Sequence, residues 1–154
     1  MLNRAISDHG QNAELHCQLG NVYVQRGHHN RALKPFKRAV ALQADHIQSL
    51  FGLGLCYGEL GLADLEMRTY DQILAFKPDM FEAIVRKGDA YFNRQDYKQA
   101  IEEYNQAILQ DDAGPWLFEN LGKAYSEIHD VEQATQCFKK ALDMDPNLGY
   151  SHYI

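Results

Sequence analysis

Glycine and tyrosine recur through this chain at a fixed interval of 34 residues. The glycines are Gly20, Gly54, Gly88 and Gly122, and the tyrosines, each three residues further on, are Tyr23, Tyr57, Tyr91 and Tyr125. The second half of each period carries another aromatic residue in phase: Phe36, Tyr70, Tyr104 and Phe138. Self-similarity at one such period is the sequence signature of a repeat protein. The chain is therefore predicted to be an array of four similar units.

Each period contains two amphipathic segments. In the last period the apolar and small residues of the first half are three and four apart, which places them on one face of an α-helix: Leu121, Gly122, Ala124, Tyr125 and Ile128. Because glycine is a poor helix former, its return at one phase indicates a close helix crossing, with the tyrosine one turn later beside it. Each period is therefore predicted to form two antiparallel helices, and no segment has the pattern of a strand.

Polar residues and prolines indicate where the helices begin and end. Asp96 and Asp130 each precede a second helix and have a glutamine three residues later, as in a capping box. Pro115 suits the first turn of a helix, whereas Pro35 falls inside one and predicts a bend or a displaced helix start. The expected helices span 13–26, 29–42, 47–60, 63–76, 81–94, 97–110, 115–128 and 131–144.

The pattern resembles the tetratricopeptide repeat (TPR) family, whose signature is a Leu-Gly pair, a tyrosine, alanine, an aromatic residue, alanine and a closing proline. The last repeat matches throughout: Leu121, Gly122, Tyr125, Ala134, Phe138, Ala141 and Pro146. The other repeats depart from the signature at Ala44, Glu66, Ile73, Lys87 and Asp112. The resemblance implies an all-α fold, a right-handed α-solenoid of antiparallel helix pairs.

The repeats also divide the chain. Four units are expected at 13–46, 47–80, 81–114 and 115–148. Residues 1–12 are predicted to be the remnant of a preceding second helix, because Leu2 and Ala5 hold the phases of Phe36 and Ala39 one period later. Residues 149–154 are predicted to begin a further repeat or to form a terminal cap. Unfinished ends predict self-association through apolar surface near Phe138, Leu142, Leu148, Tyr150 and Tyr153.

Composition and charge favour a protein-interaction module. The formal net charge of −6 argues against nonspecific nucleic-acid binding, although binding of single-stranded RNA by helical repeats stays an alternative. No apolar stretch is long enough to span a membrane, and there is no signal-peptide core. Cys17, Cys56 and Cys137 are odd in number and lie in predicted helices, so free thiols and a cytoplasmic location are expected. Cys17 is expected near the groove and Cys56 in the core.

Catalytic and metal chemistry have little support in the sequence. The seven histidines are scattered and are expected to be solvated turn residues, so no metal site or cofactor is predicted. Glu102 and Glu103 are neighbours in sequence, point in different directions on a helix and are expected to be solvated. There is no phosphate-binding glycine loop, and no nucleophile has an evident base. The chain is predicted not to be an enzyme.

The family resemblance implies that the first helix of each pair lines a concave groove that binds a peptide. Residues facing away from the Gly/Tyr stripe are then the candidate contacts: Gln18, Asn21, Gln48, Phe51, Leu55, Glu59, Arg86, Asp89, Phe92, Asn93, Trp116, Asn120 and Lys123. Phe51, Leu55, Val85 and Phe92 could instead complete the core. Trp116 could be a binding anchor or could pack beneath the preceding turn.

One subclass of the family can be compared directly. Chaperone-binding members resemble one another in a basic and asparagine clamp for a terminal carboxylate. Here Asn21 fits one clamp place, but Cys17 and Gly52 occupy others, and the groove carries more acids than bases. The sequence therefore favours a scaffold for an extended or helical protein segment. Two alternatives stay open: a structural or self-associating segment of a larger protein, and such a segment that regulates an enzyme domain outside this chain.

Overall fold

The computed structural model describes residues 2–110 and 113–147, with side chains from residue 12 onward. This part of the chain contains α-helices and no strand. In chain order the helices are α1 (Leu2–Gln25), α2 (His29–Leu42), α3 (Ile47–Glu59), α4 (Ala63–Phe76), α5 (Phe81–Asn93), α6 (Tyr97–Ile108), α7 (Pro115–Glu127) and α8 (Val131–Met144). Helices α2 to α8 begin at the predicted residues, and their ends lie within two residues of the predicted ends.

Helix α1 differs from the prediction. It begins at Leu2 and continues without a break to Gln25, so residues 2–12 extend the first helix and are not the end of a separate, preceding one. The interval contains no proline, and its one glycine, Gly10, costs about 1 kcal/mol relative to alanine, which does not terminate a helix. The residues predicted to begin a further repeat, 149–154, lie outside the described part of the chain.

The glycine ladder provides space for aromatic rings from the second helix of the same repeat. A β-carbon added at Gly20, Gly54, Gly88 or Gly122 would lie only 2.5–2.8 Å from a ring carbon, far inside normal contact distance. The four rings belong to Phe36, Tyr70, Tyr104 and Phe138. This confirms the close-crossing interpretation of the ladder. The ring that occupies each crossing comes from the second helix, not from the tyrosine three residues after the glycine.

Two predictions about helix punctuation were partly wrong. Asp130 accepts a hydrogen bond from the Gln133 backbone N–H at 3.2 Å, as expected of a cap, but Asp96 makes no capping hydrogen bond. Its carboxylate lies 3.9 Å from Nε of Arg94 instead. Helix α2 continues through Pro35, which neither delays its start nor ends it. Since proline has no N–H, the Arg31 carbonyl loses only its usual partner at residue 35.

The chain forms two compact units, Met1–Ala83 and Ile84–Ile154. In the first unit α1 packs on α2, α2 on α3, α3 on α4, and α1 also contacts α3. In the second, α6 packs on α7 and α7 on α8. Each unit has its own core, with Phe36, Leu50 and Tyr70 fully buried in the first and Tyr104 and Leu121 in the second.

Candidate peptide-binding face

The predicted contact residues of the first unit lie on α1 and α3, two first helices that contact each other. We call the candidate residues of α1 and α3 the first-helix face of the first unit, and those of α5 and α7 the first-helix face of the second unit. Gln18 and Asn21 on α1 are exposed, as are Gln48, Leu55 and Glu59 on α3. Amide groups donate and accept hydrogen bonds, so they can bind the backbone of an extended segment. This part of the face combines amides, one carboxylate and one aliphatic side chain.

The apolar candidate residues differ in exposure and packing. Leu55 is 37% exposed and is available as an apolar contact. Phe51 is half-buried, with its ring 6.3 Å from the buried ring of Tyr70, so it also supports the core. Val85 is only 6% exposed and belongs to the core. Phe92 is half-buried and packs edge-on against Tyr97, with 5.1 Å between the ring centroids.

Cys17 does not lie near the groove, contrary to expectation. It is fully buried in the core with Phe36, Leu53 and Cys56. Burial raises the pKa of the Cys17 thiol, partly opposed by a hydrogen bond with Ser49, and burial likewise raises the pKa of Cys56 to about 11. Gly52 is also buried, beneath the ring of Phe36. These positions therefore supply no clamp for a carboxylate, and the two thiols are unreactive packing residues.

In the second unit, the candidate residues on α5 and α7 are more strongly tied to their neighbours. Arg86, Asn93 and Lys123 are exposed, and Asn120 is half-buried. The Lys123 ammonium lies 3.3 Å from the Glu119 carboxylate one turn earlier, which orients both side chains. The Lys123 side chain is half-exposed, whereas that of Glu119 is only 14% exposed. Lys123 therefore remains accessible to a ligand while paired with Glu119.

Asp89 has a structural partner. Its carboxylate accepts a hydrogen bond of 2.5 Å from the Tyr104 hydroxyl. Burial raises the pKa of Asp89, while the Tyr104 hydroxyl and the positive charge of Arg86 oppose that rise. Burial and the neighbouring carboxylate also raise the pKa of Tyr104. Asp89 thus links α5 to α6 through its hydrogen bond with Tyr104.

Trp116 combines exposure with a local contact. Its side chain is 42% exposed at the start of α7. The indole lies over Gly114, where an added β-carbon would be 2.9 Å from the ring nitrogen. The tryptophan therefore covers the turn before α7 with one side and presents the rest of its surface to solvent. Both of the roles considered from the sequence have a structural basis.

One histidine is not the solvated turn residue expected. The His46 side chain is 10% exposed and joins two helices: Nε2 lies 3.2 Å from a Glu14 oxygen, and Nδ1 lies 2.8 Å from the Ser49 hydroxyl. A carboxylate, an imidazole and a hydroxyl in series resemble a hydrolase triad in composition. Ser49 is fully buried, so no substrate can reach it. The chain of hydrogen bonds links α1 to the start of α3.

Glu103 also differs from the prediction of a solvated charge. Its carboxylate lies 3.4 Å from the Lys87 ammonium, and both side chains are less than one-fifth exposed. This partner lies on α5, and the spacing of neighbouring positions on α6 carries no information about it. Among the described residues, no group of three His, Cys, Asp or Glu side chains is arranged to hold a metal ion. Nor does the described part include a helix long and apolar enough to cross a bilayer.

A second surface was not anticipated from the sequence. Helices α1 and α2 form an open surface pocket of about 470 Å³, lined by Leu19, Tyr23 and Pro35 and by basic side chains of α2. The signal was present in the sequence, since no acidic residue occurs between Glu14 and Asp45. The net charge of −6 concealed this local excess of positive charge.

Comparison with known proteins identifies the family. Models described as tetratricopeptide repeat match residues 17–81 and 117–148, and one described as TPR repeat matches residues 88–128. Together they cover most of the chain, which belongs to the tetratricopeptide repeat family. The predicted all-α TPR solenoid class is confirmed by solved structures. The chain is similar to MamA 41-end from Desulfovibrio magneticus RS-1 (25% identity, TM-score 0.83, covering 90% of this chain and 78% of that one).

Curated relatives match over only part of their length. BBSome complex member BBS4 of Bos taurus is 24% identical over 89% of this chain and 28% of its own length. Protein O-mannosyl-transferase TMTC3 of Homo sapiens is 25% identical over 94% of this chain and 16% of its own length. The chain thus spans a third or less of these relatives. The repeats and these relatives support a protein-interaction scaffold, and the transferase activity named for TMTC3 belongs to that whole protein.

Proposed function

We propose that this chain is a non-enzymatic scaffold that binds an extended or helical segment of a partner protein along the first-helix face of one of its units. The observation that carries the proposal is the contrast along α3. Gln48, Leu55 and Glu59 are exposed along one stripe of the helix, whereas Leu53 and Tyr57, on its other side, are buried. Helix α3 therefore supplies a polar surface with one aliphatic contact.

The corresponding surface of α5 and α7 supports the same role. Trp116 offers aromatic area, and aromatic side chains are enriched among the residues that dominate binding energy. Asn120 and Lys123 lie one turn and two turns further along α7 and add an amide and a positive charge. A partner segment with a hydrophobic residue, flanked by groups that hydrogen-bond to amides, fits this combination. Membrane and nucleic-acid partners are not part of the proposal, and a cytoplasmic location stays a prediction.

Selection of peptides from a random display library on the immobilised chain tests the proposal. Among the selected peptides, those that bind the second unit should bind Asn120→Ala and Lys123→Ala each about 1–2 kcal/mol more weakly, and neither change should alter helical content. Gln136→Ala and Lys140→Ala are matched controls, because both residues are exposed on the second helix α8. Glu103 is unsuitable as a control because of its ion pair with Lys87. Greater loss in the α8 variants than in the α7 variants would refute the assignment.

Self-association is a second candidate function, favoured by exposed apolar side chains on α8. Val131 is 72% exposed, and Leu142 and Met144 are each more than 40% exposed. Phe138, one of the residues predicted to be available, is half-buried against Gly122 instead. Leu148, Tyr150 and Tyr153 lie outside the described residues. Sedimentation over a wide concentration range tests this candidate, which predicts that Leu142→Gln and Met144→Gln reduce association; a monomer at every concentration would exclude it.

A further inference from the structure

We propose that the pocket between α1 and α2 binds an acidic segment of a partner protein that carries an apolar side chain. The proposal does not depend on the first-helix face of the first unit, because Gln18 and Asn21 are not among the residues that line the pocket. It rests on three observations: the apolar lining, the cations around it, and the absence of an ion pair to any of those cations among the described side chains.

The lining of the pocket supplies an apolar contact surface. Leu19 and Tyr23 lie one turn apart on α1, and Pro35 faces them from α2. Leu19 is 46% exposed, and Val22 beside it is 44% exposed. A pocket of about 470 Å³ accommodates a leucine, methionine or phenylalanine side chain with neighbouring backbone. Burying such a side chain contributes to binding at low and high salt alike.

The cations come from one stretch of α2. Arg31, Lys34, Lys37 and Arg38 all line the pocket and are all exposed. They span eight consecutive residues, which is about 10 Å along a helix at a rise of 1.5 Å per residue. Four positive charges over this distance suit several carboxylates spaced along a short peptide.

None of these four cations forms an ion pair with another side chain in the part of the chain that the structure describes. Elsewhere in that part, Lys87 and Lys123 lie near carboxylates of the chain itself. No acidic residue lies between Glu14 and Asp45, so the segments of α1 and α2 that line the pocket carry no negative side chain. Unpaired charges of one sign on a chain of opposite net charge attract a complementary partner and steer its approach.

The shape of the charge distribution favours a peptide over a nucleic acid. Binding along a phosphate backbone uses an extended basic track and aromatic rings on which successive bases stack. Here the cations cover about three residues' length of extended chain on one helix, and Tyr23 is the one aromatic lining residue. A single apolar residue flanked by aspartate or glutamate satisfies both parts of the pocket.

The test uses fluorescent synthetic peptides that hold one phenylalanine or leucine between aspartate and glutamate residues. Versions with the acids changed to amides, or with the apolar residue changed to serine, supply the matched ligand controls. Lys34→Glu with Arg38→Glu should weaken binding of the acidic peptide by roughly tenfold or more. Leu19→Gln should weaken it severalfold. Lys139→Glu with Lys140→Glu, an equal charge change at exposed positions of α8, should change it less than about twofold.

Each outcome decides the proposal. Binding that needs both the acids and the apolar residue, and that is lost in the α2 variant alone, supports it. Failure of the acidic peptides to bind, or equal loss in the α2 and α8 variants, overturns it. It is also overturned if polyuridylate or phosphatidylserine vesicles bind more tightly than every peptide through the same cations, or if these cations serve only self-association in sedimentation. Asn120→Ala should leave binding of the acidic peptide unchanged. This result separates the proposal for the pocket from the proposed function of the first-helix face.

Discussion

The first and fourth repeats use the same glycine–aromatic pair in different surroundings. Phe36 is completely buried and lies between two glycines, Gly20 on α1 and Gly52 on α3. Phe138 packs on Gly122 but stays half-buried, and α8 is the last helix of the described residues. The glycine–aromatic pair therefore specifies how the two helices of one repeat cross. The first helix of the next repeat then encloses the aromatic ring. The stability contributed by one motif should therefore depend on its neighbour.

Replacing Phe36 or Phe138 by alanine should give the largest difference in unfolding free energy between the first and fourth repeats. Phe36→Ala removes a fully enclosed ring and should cost about 3–5 kcal/mol, while Phe138→Ala should cost roughly half as much because part of its ring already contacts water. Urea denaturation monitored by circular dichroism measures both. Equal losses would show that enclosure by the following helix adds nothing.

Adding a side chain at Gly20 or Gly122, where the two helices of a repeat cross, should give an intermediate loss of stability. Gly20→Leu forces a side chain against a ring that has no space to move, at a cost of about 2–3 kcal/mol. Gly122→Leu should cost about 1–3 kcal/mol and less than Gly20→Leu, since the half-exposed Phe138 ring can swing outward. Ser126→Leu, at an exposed position of α7, is the control for adding a leucine to a helix. A melting temperature of Gly122→Leu equal to that of the control would contradict the packing account.

The third repeat extends the comparison to a ring with a polar partner. Replacing Tyr104 by phenylalanine leaves the partly buried Asp89 carboxylate without its donor and should cost about 1–2 kcal/mol at neutral pH. Because the pKa of Asp89 is raised in the folded state, the folded chain binds a proton more tightly than the unfolded one. Stability linked to Asp89 is therefore greatest below its ordinary pKa of 3.8 and is lost as pH rises through the raised value.

Denaturation at a series of pH values tests whether the stability linked to Asp89 falls as pH rises. Asp89→Asn should flatten the dependence above pH 3.8, since the amide does not titrate. Tyr104→Phe removes a group that opposes the rise in the pKa of Asp89, so the loss should extend to higher pH. Tyr70→Phe is the matched control, because the Tyr70 hydroxyl donates to Glu66 and not to Asp89. A flatter profile in Tyr104→Phe would be opposite to the expected result.

The sequence predicted the helices well because their information is local and periodic. Seven helix starts followed from the repeat phase, caps and prolines, and the glycine positions indicated the crossings. Contacts between residues far apart in the sequence were harder to predict. Cys17 has the helical phase of a groove residue but lies in the core, and Glu103 has a partner on another helix. The basic pocket requires two helices side by side, so a summed charge did not reveal it.

The candidate face was predicted from the family resemblance combined with helical phase, and exposure refines it without assigning a ligand. Leu55 and Trp116 are available, whereas Phe51 and Phe92 also serve the core and Val85 serves only the core. Phase alone could not separate these cases, because the exposure of a side chain depends on the size and tilt of the neighbouring helix.

The central claim, binding along the first-helix face of one unit, is tested most directly by nuclear magnetic resonance. A library-selected peptide that binds the Lys34→Glu/Arg38→Glu variant as well as it binds the unmodified chain is titrated into isotopically labelled protein. The account predicts that the largest amide shifts fall on first helices, near Gln18, Asn21 and Leu55 or near Asn120 and Lys123. Shifts confined to the exposed sides of α4, α6 and α8 would contradict it.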